Sequence, residues 1–261
     1  MKAHLIISIL IALSTQLAWT AELPTAPGSG TAKGLMGVVM VPAGPLAETL
    51  PHGLSLAPEL KQADGTYPSA MFVGGHENLS VEVAGQPVQV ASHYNEATLT
   101  FTVVGPYDQN QRYTYTSKIV VDSVPAMLMG WTLGYPKRLV SIDFTGNVFQ
   151  AQFSQSKPAL KVELQSVPDF NTETFIANMK FLADNMHPTI GRTIFGWTCY
   201  DFVWDFAHGS AVPVNADITF FDAFAGKALS GLYRSPSLDK SPFGSVQIVS
   251  PWKMQNFHTC D

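Results

Sequence analysis

Apolar and polar residues alternate one for one along much of this chain. Ser80-Val81-Glu82-Val83 and Val88-Gln89-Val90 do so on either side of Gly85-Gln86-Pro87, which reads as a turn. Thr98 to Val103, Tyr113 to Val121, Val148 to Phe153, Leu160 to Leu164, Ala216 to Phe221 and Ser245 to Val249 repeat the pattern. A period of two gives each segment one apolar and one polar face, as strands of an antiparallel sheet or barrel require. Only one stretch carries the helical period. From Asn171, apolar residues fall at Phe175, Ile176, Met179, Leu182 and Met186, with Asn171 placed to cap the start and Pro188 beyond the end. A shorter helix is expected over Leu46 to Leu50. The fold class is therefore α+β, mainly antiparallel β, with few helices.

Composition narrows this to a globular chain with a lean surface: 46% of residues are hydrophobic and 13% charged. The formal net charge of −5, with no basic run, argues against nucleic acid as a partner. Residues 22–34 are rich in Pro, Gly and Ala and read as an extended lead-in. No linker or repeat follows, so 35–261 is expected to be one domain.

The first residues change the compartment. Lys2, the apolar run Leu5 to Leu13 and small residues from Ala18 to Ala21 have the layout of a signal peptide over 1–21. The run is far shorter than the ~20 residues a membrane-spanning helix needs. The expectation is entry into the secretory pathway, with no membrane attachment after cleavage. Asn78-Leu79-Ser80 is a glycosylation sequon that fits this route. Cys199 and Cys260 are the only cysteines. In an oxidising compartment they are expected to pair, closing a loop of about 60 residues and stabilising by roughly 4 kcal/mol. Two buried thiols are the alternative.

Candidate chemistry concentrates at Gly134-Tyr135-Pro136-Lys137-Arg138, two adjacent cations in a chain with only 15 Lys and Arg. An apolar approach, Ala126 to Trp131, precedes them and Leu139-Val140 follows. Pro136 restricts the backbone on both sides. An inward Lys137 beside a guanidinium would have its ammonium form disfavoured. To act as an amine nucleophile it must come down from about 10.4 to roughly 7–8. The other reading is a turn whose charges reach out to solvent. Glu96, in His93-Tyr94-Asn95-Glu96 at the head of a strand, is a second candidate: an acid or base at a barrel mouth, or a solvated strand end.

Other residues carry weaker signals. His52, His76, His93, His187, His208 and His258 lack metal-ligand spacing and are read as surface or locally bonded, and two cysteines do not make a zinc site. Trp197, Tyr200, Phe202, Trp204 and Phe206 read as core or barrel wall. Arg112 and Arg192 can each bind a carboxylate, with nothing to single either out.

Gly134-Tyr135-Pro136-Lys137-Arg138 resembles the Tyr-Pro-Lys-Lys signature of the acetoacetate decarboxylase superfamily. Tyr94-Asn95-Glu96-Ala97 is similar to that family's upstream glutamate segment. The likeness extends to Gly37–Val41, Leu46–Pro51 and the closing segments Asp217–Phe221 and Gly244–Ile248. It implies a decarboxylase-like β-barrel, Lys137 as a Schiff-base lysine, Glu96 as the acid that positions or protonates, and no metal or organic cofactor. Arg138 stands where the family has a second lysine. Gly130-Trp131 replaces a Gly-Arg-Glu stretch, which places Trp131, with Tyr135, as an apolar substrate contact. The family's N-terminal arginine has no match, Lys33 being the nearest cation. The resemblance also implies a homo-oligomer.

Three functions follow as expectations. The first is a cofactor-independent decarboxylase acting on a small β-keto acid, in polyketide or other secondary metabolism. The second is a Schiff-base aldolase or dehydratase. The third is a non-catalytic secreted barrel that binds a small apolar ligand.

Overall fold

In the computed structural model the alternating segments are strands of a single sheet. The structure describes residues 28–83, 86–184, 187–193 and 196–260; the expected signal segment lies outside them. The chain opens with β1 (Gly28–Pro42), so 28–34 of the expected lead-in is strand. Helix α1 (Ala43–Ala47) and the short β2 (Ser55–Leu56) follow. Next come β3 (Thr66–Val83), β4 (Gln86–Val104) and β5 (Arg112–Val121). Helix α2 (Val124–Thr132) leads into β6 (Lys137–Leu139), β7 (Ser141–Thr145), β8 (Val148–Ser154) and β9 (Lys157–Ser166). After α3 (Thr172–Asp184) run β10 (Thr189–Thr193), β11 (Gly196–Trp204) and β12 (Ser210–Phe220). Helix α4 (Asp222–Ala225), β13 (Gly231–Ser235) and β14 (Ser245–Thr259) close the chain.

Strands β1, β3, β4, β5, β10, β11 and β14 pair in that order, and β14 pairs back onto β1, closing a barrel. From β14 the sheet continues through β12, β9, β8 and β7 and folds over the outside. Closure removes the free edges an open sheet of this length would expose. Pairing is antiparallel except where β10 and β6 join β5. The expected mainly antiparallel β-barrel with few helices is what the chain forms.

Both faces of the central strands are covered, and their alternation sorts side chains between two cores. On β4, Ala97, Leu99 and Phe101 face outward and pack with Phe149, Val162 and Ile218 of the outer strands. Tyr94, Glu96 and Thr98 face the barrel interior, where Phe72, Ile119 and Trp252 form a second, aromatic cluster. The two expected strands Val88–Val90 and Thr98–Val103 are one continuous β4, long enough to serve the barrel along its whole height.

The chain departs from its pattern at α2. The segment 124–132 is apolar all round, so no periodicity marks it as a helix. Its ends do: the Ser123 hydroxyl accepts from Ala126 N at 3.4 Å, and Pro125 occupies the first turn. The expected helix from Asn171 is present, with the Asn171 side chain accepting from Thr174 N at 2.9 Å. The short N-terminal helix lies slightly earlier than expected, at Ala43–Ala47. Cys199 and Cys260 are joined, with Cα atoms 5.2 Å apart, so β11 holds the C-terminal end of β14.

Candidate active site

Lys137 begins β6, whose parallel register on β5 sets it opposite Ile119 and therefore facing inward. The approach is tightly built. Tyr135 N donates to Gly130 O and Lys137 N to Tyr135 O, both at 2.9 Å. Gly134 takes φ +82°, a left-handed conformation that glycine adopts without strain. The aliphatic stem of Lys137 then crosses α2 at Gly130, where a Cβ would stand 2.3 Å from Lys137 Cδ. A glycine at this point leaves the stem its present course.

At the end of that stem Nζ lies 2.6 Å from Glu96 Oε2, and both residues are 8% exposed. Glu96 reaches this point because β4 is paired with β5 and lies one strand from β6. Its other oxygen, Oε1, is 3.7 Å from His76 Nε2, within ion-pair reach but beyond hydrogen-bond length. Burial pushes the Glu96 carboxyl upward, but the Lys137 charge and the His76 ring outweigh it and hold the group down at about 2. Glu96 is therefore a carboxylate at ordinary pH. Tyr94 and Tyr135 lie under Nζ, with ring centroids at 5.3 and 5.9 Å. Burial raises both phenols, so each keeps its proton.

These groups line a cavity of about 490 Å³ inside the barrel. Phe72, Leu133, Phe202 and Trp204 make much of its wall apolar. Thr98, Thr100 and Thr102 mark a polar path along β4 away from Glu96. Its far end reaches Arg112, which is engaged by Glu59 through an Nε–Oε1 contact of 2.5 Å.

The structure thus brings Lys137, Glu96 and Tyr135 together and separates them from four other candidates. Arg138 follows Lys137 on a strand, so its side chain points to the opposite face. There it stacks on Phe153, with Cζ 4.0 Å from the ring centroid, and donates to Ala223 O. It does not meet the cavity. Trp131 is 53% exposed and its indole N–H donates to Lys137 O at 2.8 Å, so it braces the Lys137 backbone from outside and does not line the cavity. Lys33 is exposed and faces a different depression of the surface. Asn78 is exposed, with φ 54°, at an irregularity of the β3–β4 pairing.

His76 is the residue that sequence reasoning missed. It is 3% exposed, not on the surface, and packs inside the barrel between Phe72 and Tyr94. Its placement follows from the β3–β4 register, which sets it beside Tyr94, two residues before Glu96 on the same face. The long-range pairing of strands supplies this information; a lone histidine in the sequence does not.

The lysine–carboxylate pair lies within a stretch of chain that has known relatives. A family model described as acetoacetate decarboxylase matches residues 14–175, more than half of the chain. The chain belongs to the acetoacetate decarboxylase family. Solved structures share the fold. An acetoacetate decarboxylase-like enzyme from Sphingomonas wittichii RW1 is 13% identical, with 91% of this chain and 93% of that one covered and a TM-score of 0.61. The enduracididine biosynthesis enzyme MppR, complexed with the condensation product of pyruvate and imidazole 4-carboxaldehyde, is 14% identical over 90% and 88%, with a TM-score of 0.55. Acetoacetate decarboxylase from Legionella pneumophila is 10% identical over 88% and 85%, with a TM-score of 0.53. No curated protein matches the chain. The acetoacetate decarboxylase family is one of enzymes.

Proposed function

We propose that this family member decarboxylates a β-keto acid through a Schiff base on Lys137. The observation that carries the reading is the 2.6 Å contact between Lys137 Nζ and Glu96 Oε2 at a buried cavity wall. Once the Lys137 ammonium gives up its proton to solvent, the free amine, held against Glu96, attacks the substrate ketone and a proton passes from nitrogen to the ketone oxygen. The resulting carbinolamine is protonated at its hydroxyl from solvent and loses water to leave an iminium on Lys137, whose charge the Glu96 carboxylate offsets. The electrons of the bond to the carboxylate flow into that iminium as carbon dioxide leaves. The enamine is then protonated at carbon, and hydrolysis returns the ketone and the free lysine. The apolar walls favour the step in which charge is lost, since a carboxylate and an iminium become neutral products.

The same reading places the enzyme on the secretory route, supported by the N-terminal segment, the Cys199–Cys260 bond and the exposed Asn78 sequon. The likeness to an enduracididine biosynthesis enzyme favours secondary metabolism as its setting.

The test is carbon dioxide release from acetoacetate and a longer β-keto acid by purified mature protein. Release above the uncatalysed rate, lost in Lys137→Ala, is the expected result. Folded protein that releases none, but accumulates condensed or dehydrated products with an added aldehyde, would move the assignment to aldolase or dehydratase chemistry.

A further inference from the structure

Among the described residues, five buried side-chain polar atoms have no hydrogen-bond partner, and three of them belong to His76 and Trp252. These are both ring nitrogens of His76 and the indole nitrogen of Trp252, and both residues line the Lys137 cavity. Unpaired buried polar groups are rare in folded proteins because each has lost its water without replacement. Three of them lie on two adjacent rings, with His76 Nε2 in ion-pair reach of Glu96 Oε1 at 3.7 Å but not hydrogen-bonded to it.

The rings are brought together by small residues on β1. Trp252 of β14 sits opposite Gly30, and His76 of β3 sits opposite Ala32, so both rings lie over β1. A Cβ on Gly30 would be 2.9 Å from Trp252 Cζ2, which explains the glycine there. Their centroids are 5.6 Å apart in an edge-to-face arrangement. Phe202 stacks on Trp252 and Tyr94 on His76, so neither ring is free to turn away.

We infer that His76 and Trp252 form a subsite for the carboxylate of the substrate. The inference deepens the keto-acid reading and rests on it for the identity of the molecule that carries the carboxylate. Indole N–H can only donate, and an imidazole N–H beside it supplies a second donor. A carboxylate offers two oxygens to two such donors. Glu96 stands between this subsite and Lys137, with Oε1 toward His76 and Oε2 on Nζ. A carboxylate held at His76 thus has its own carbon chain within reach of Lys137, and lies beside a second negative charge. That repulsion is relieved when carbon dioxide departs.

The experiment separates the subsite from the lysine chemistry. Butanoate, which has no ketone to condense, is titrated into the mature protein by ligand-observed NMR, against butanamide. Butanoate is expected to bind about tenfold more tightly than the amide, with that preference lost in both Trp252→Phe and His76→Gln, as for a hydrogen bond to a charged group. Trp252→Phe keeps the ring stack and carries the test alone if His76→Gln does not fold. In parallel, the ratio of borohydride trapping rates for acetoacetate over acetone is expected to fall about tenfold in the same variants. Butanoate binding no better than butanamide, or binding the variants as it binds wild type, overturns the inference. Absence of any trapped adduct in wild type overturns the Schiff-base reading instead, leaving the butanoate result to decide the subsite.

Discussion

The indole N–H of Trp131 donates to the backbone carbonyl of Lys137 at 2.8 Å, from a side chain that is 53% exposed. Lys137 is therefore held from both sides of its strand: Glu96 fixes the amine inside the barrel and Trp131 fixes the main chain outside. Trp131→Phe removes the donor while leaving the core intact. A net hydrogen bond of about 1 kcal/mol corresponds to a rate loss of about fivefold. We expect kcat to fall by that order with KM unchanged. A raised KM for bulky substrates at unchanged kcat would return Trp131 to the substrate-binding role.

Gly130→Ala should separate activity from stability. The new methyl group would displace the Lys137 stem, since its Cβ position is 2.3 Å from Cδ. A lysine stem can move, and alanine favours the helix by up to ~1 kcal/mol, so the melting temperature is expected to change little. Displacing a reacting group by 1 Å can cost about a hundredfold in rate. Unaltered decarboxylation in Gly130→Ala would show that Lys137 does not act from the position it holds here.

Glu96 links the site to acid stability. Its carboxyl, ordinarily at 4.5, is held at about 2 by Lys137 and His76 against the opposing effect of burial. Its contribution to stability is therefore fully present above about 4.5 and is lost as pH falls toward 2. Glu96→Gln leaves Lys137 unpaired in the interior, costing about 3–5 kcal/mol at pH 7. Denaturant unfolding at pH 7 and pH 3 should show the gap between wild type and variant narrowing in acid. A gap independent of pH would mean that the pair does not persist in solution.

Much of the fold is legible in the sequence because it rests on period-two patterning. Tyr94, Glu96 and Thr98 against Ala97, Leu99 and Phe101 read directly as two faces of one strand. Lys137 and Glu96 are legible for another reason: Tyr-Pro-Lys and Tyr-Asn-Glu carry the family resemblance. Neighbours in sequence misled where strand geometry separates them. Arg138 is adjacent to Lys137 and for that reason faces away from it. Helix α2 turns Trp131 outward, a fact hidden because the helix has no polar face. His76 and Trp252 lie 176 positions apart and meet only when β14 closes on β1. No local pattern encodes that closure.

The Cys199–Cys260 bond spans 61 positions and ties β14 to β11. Cys260→Ala is expected to lower stability by about 2–4 kcal/mol, with reductant lowering wild type by the same amount and the variant not at all. Reductant that leaves wild-type unfolding unchanged would indicate unpaired thiols.

Covalent capture by Lys137 is the step on which the proposed reaction depends. Mature protein treated with acetoacetate and borohydride, then read by intact and peptide mass, is expected to gain one ketone-derived adduct on the Lys137 peptide. The adduct should persist in Arg138→Ala and vanish in Lys137→Ala. Folded protein that gains no adduct, or an adduct on another lysine, would rule out Schiff-base chemistry at Lys137.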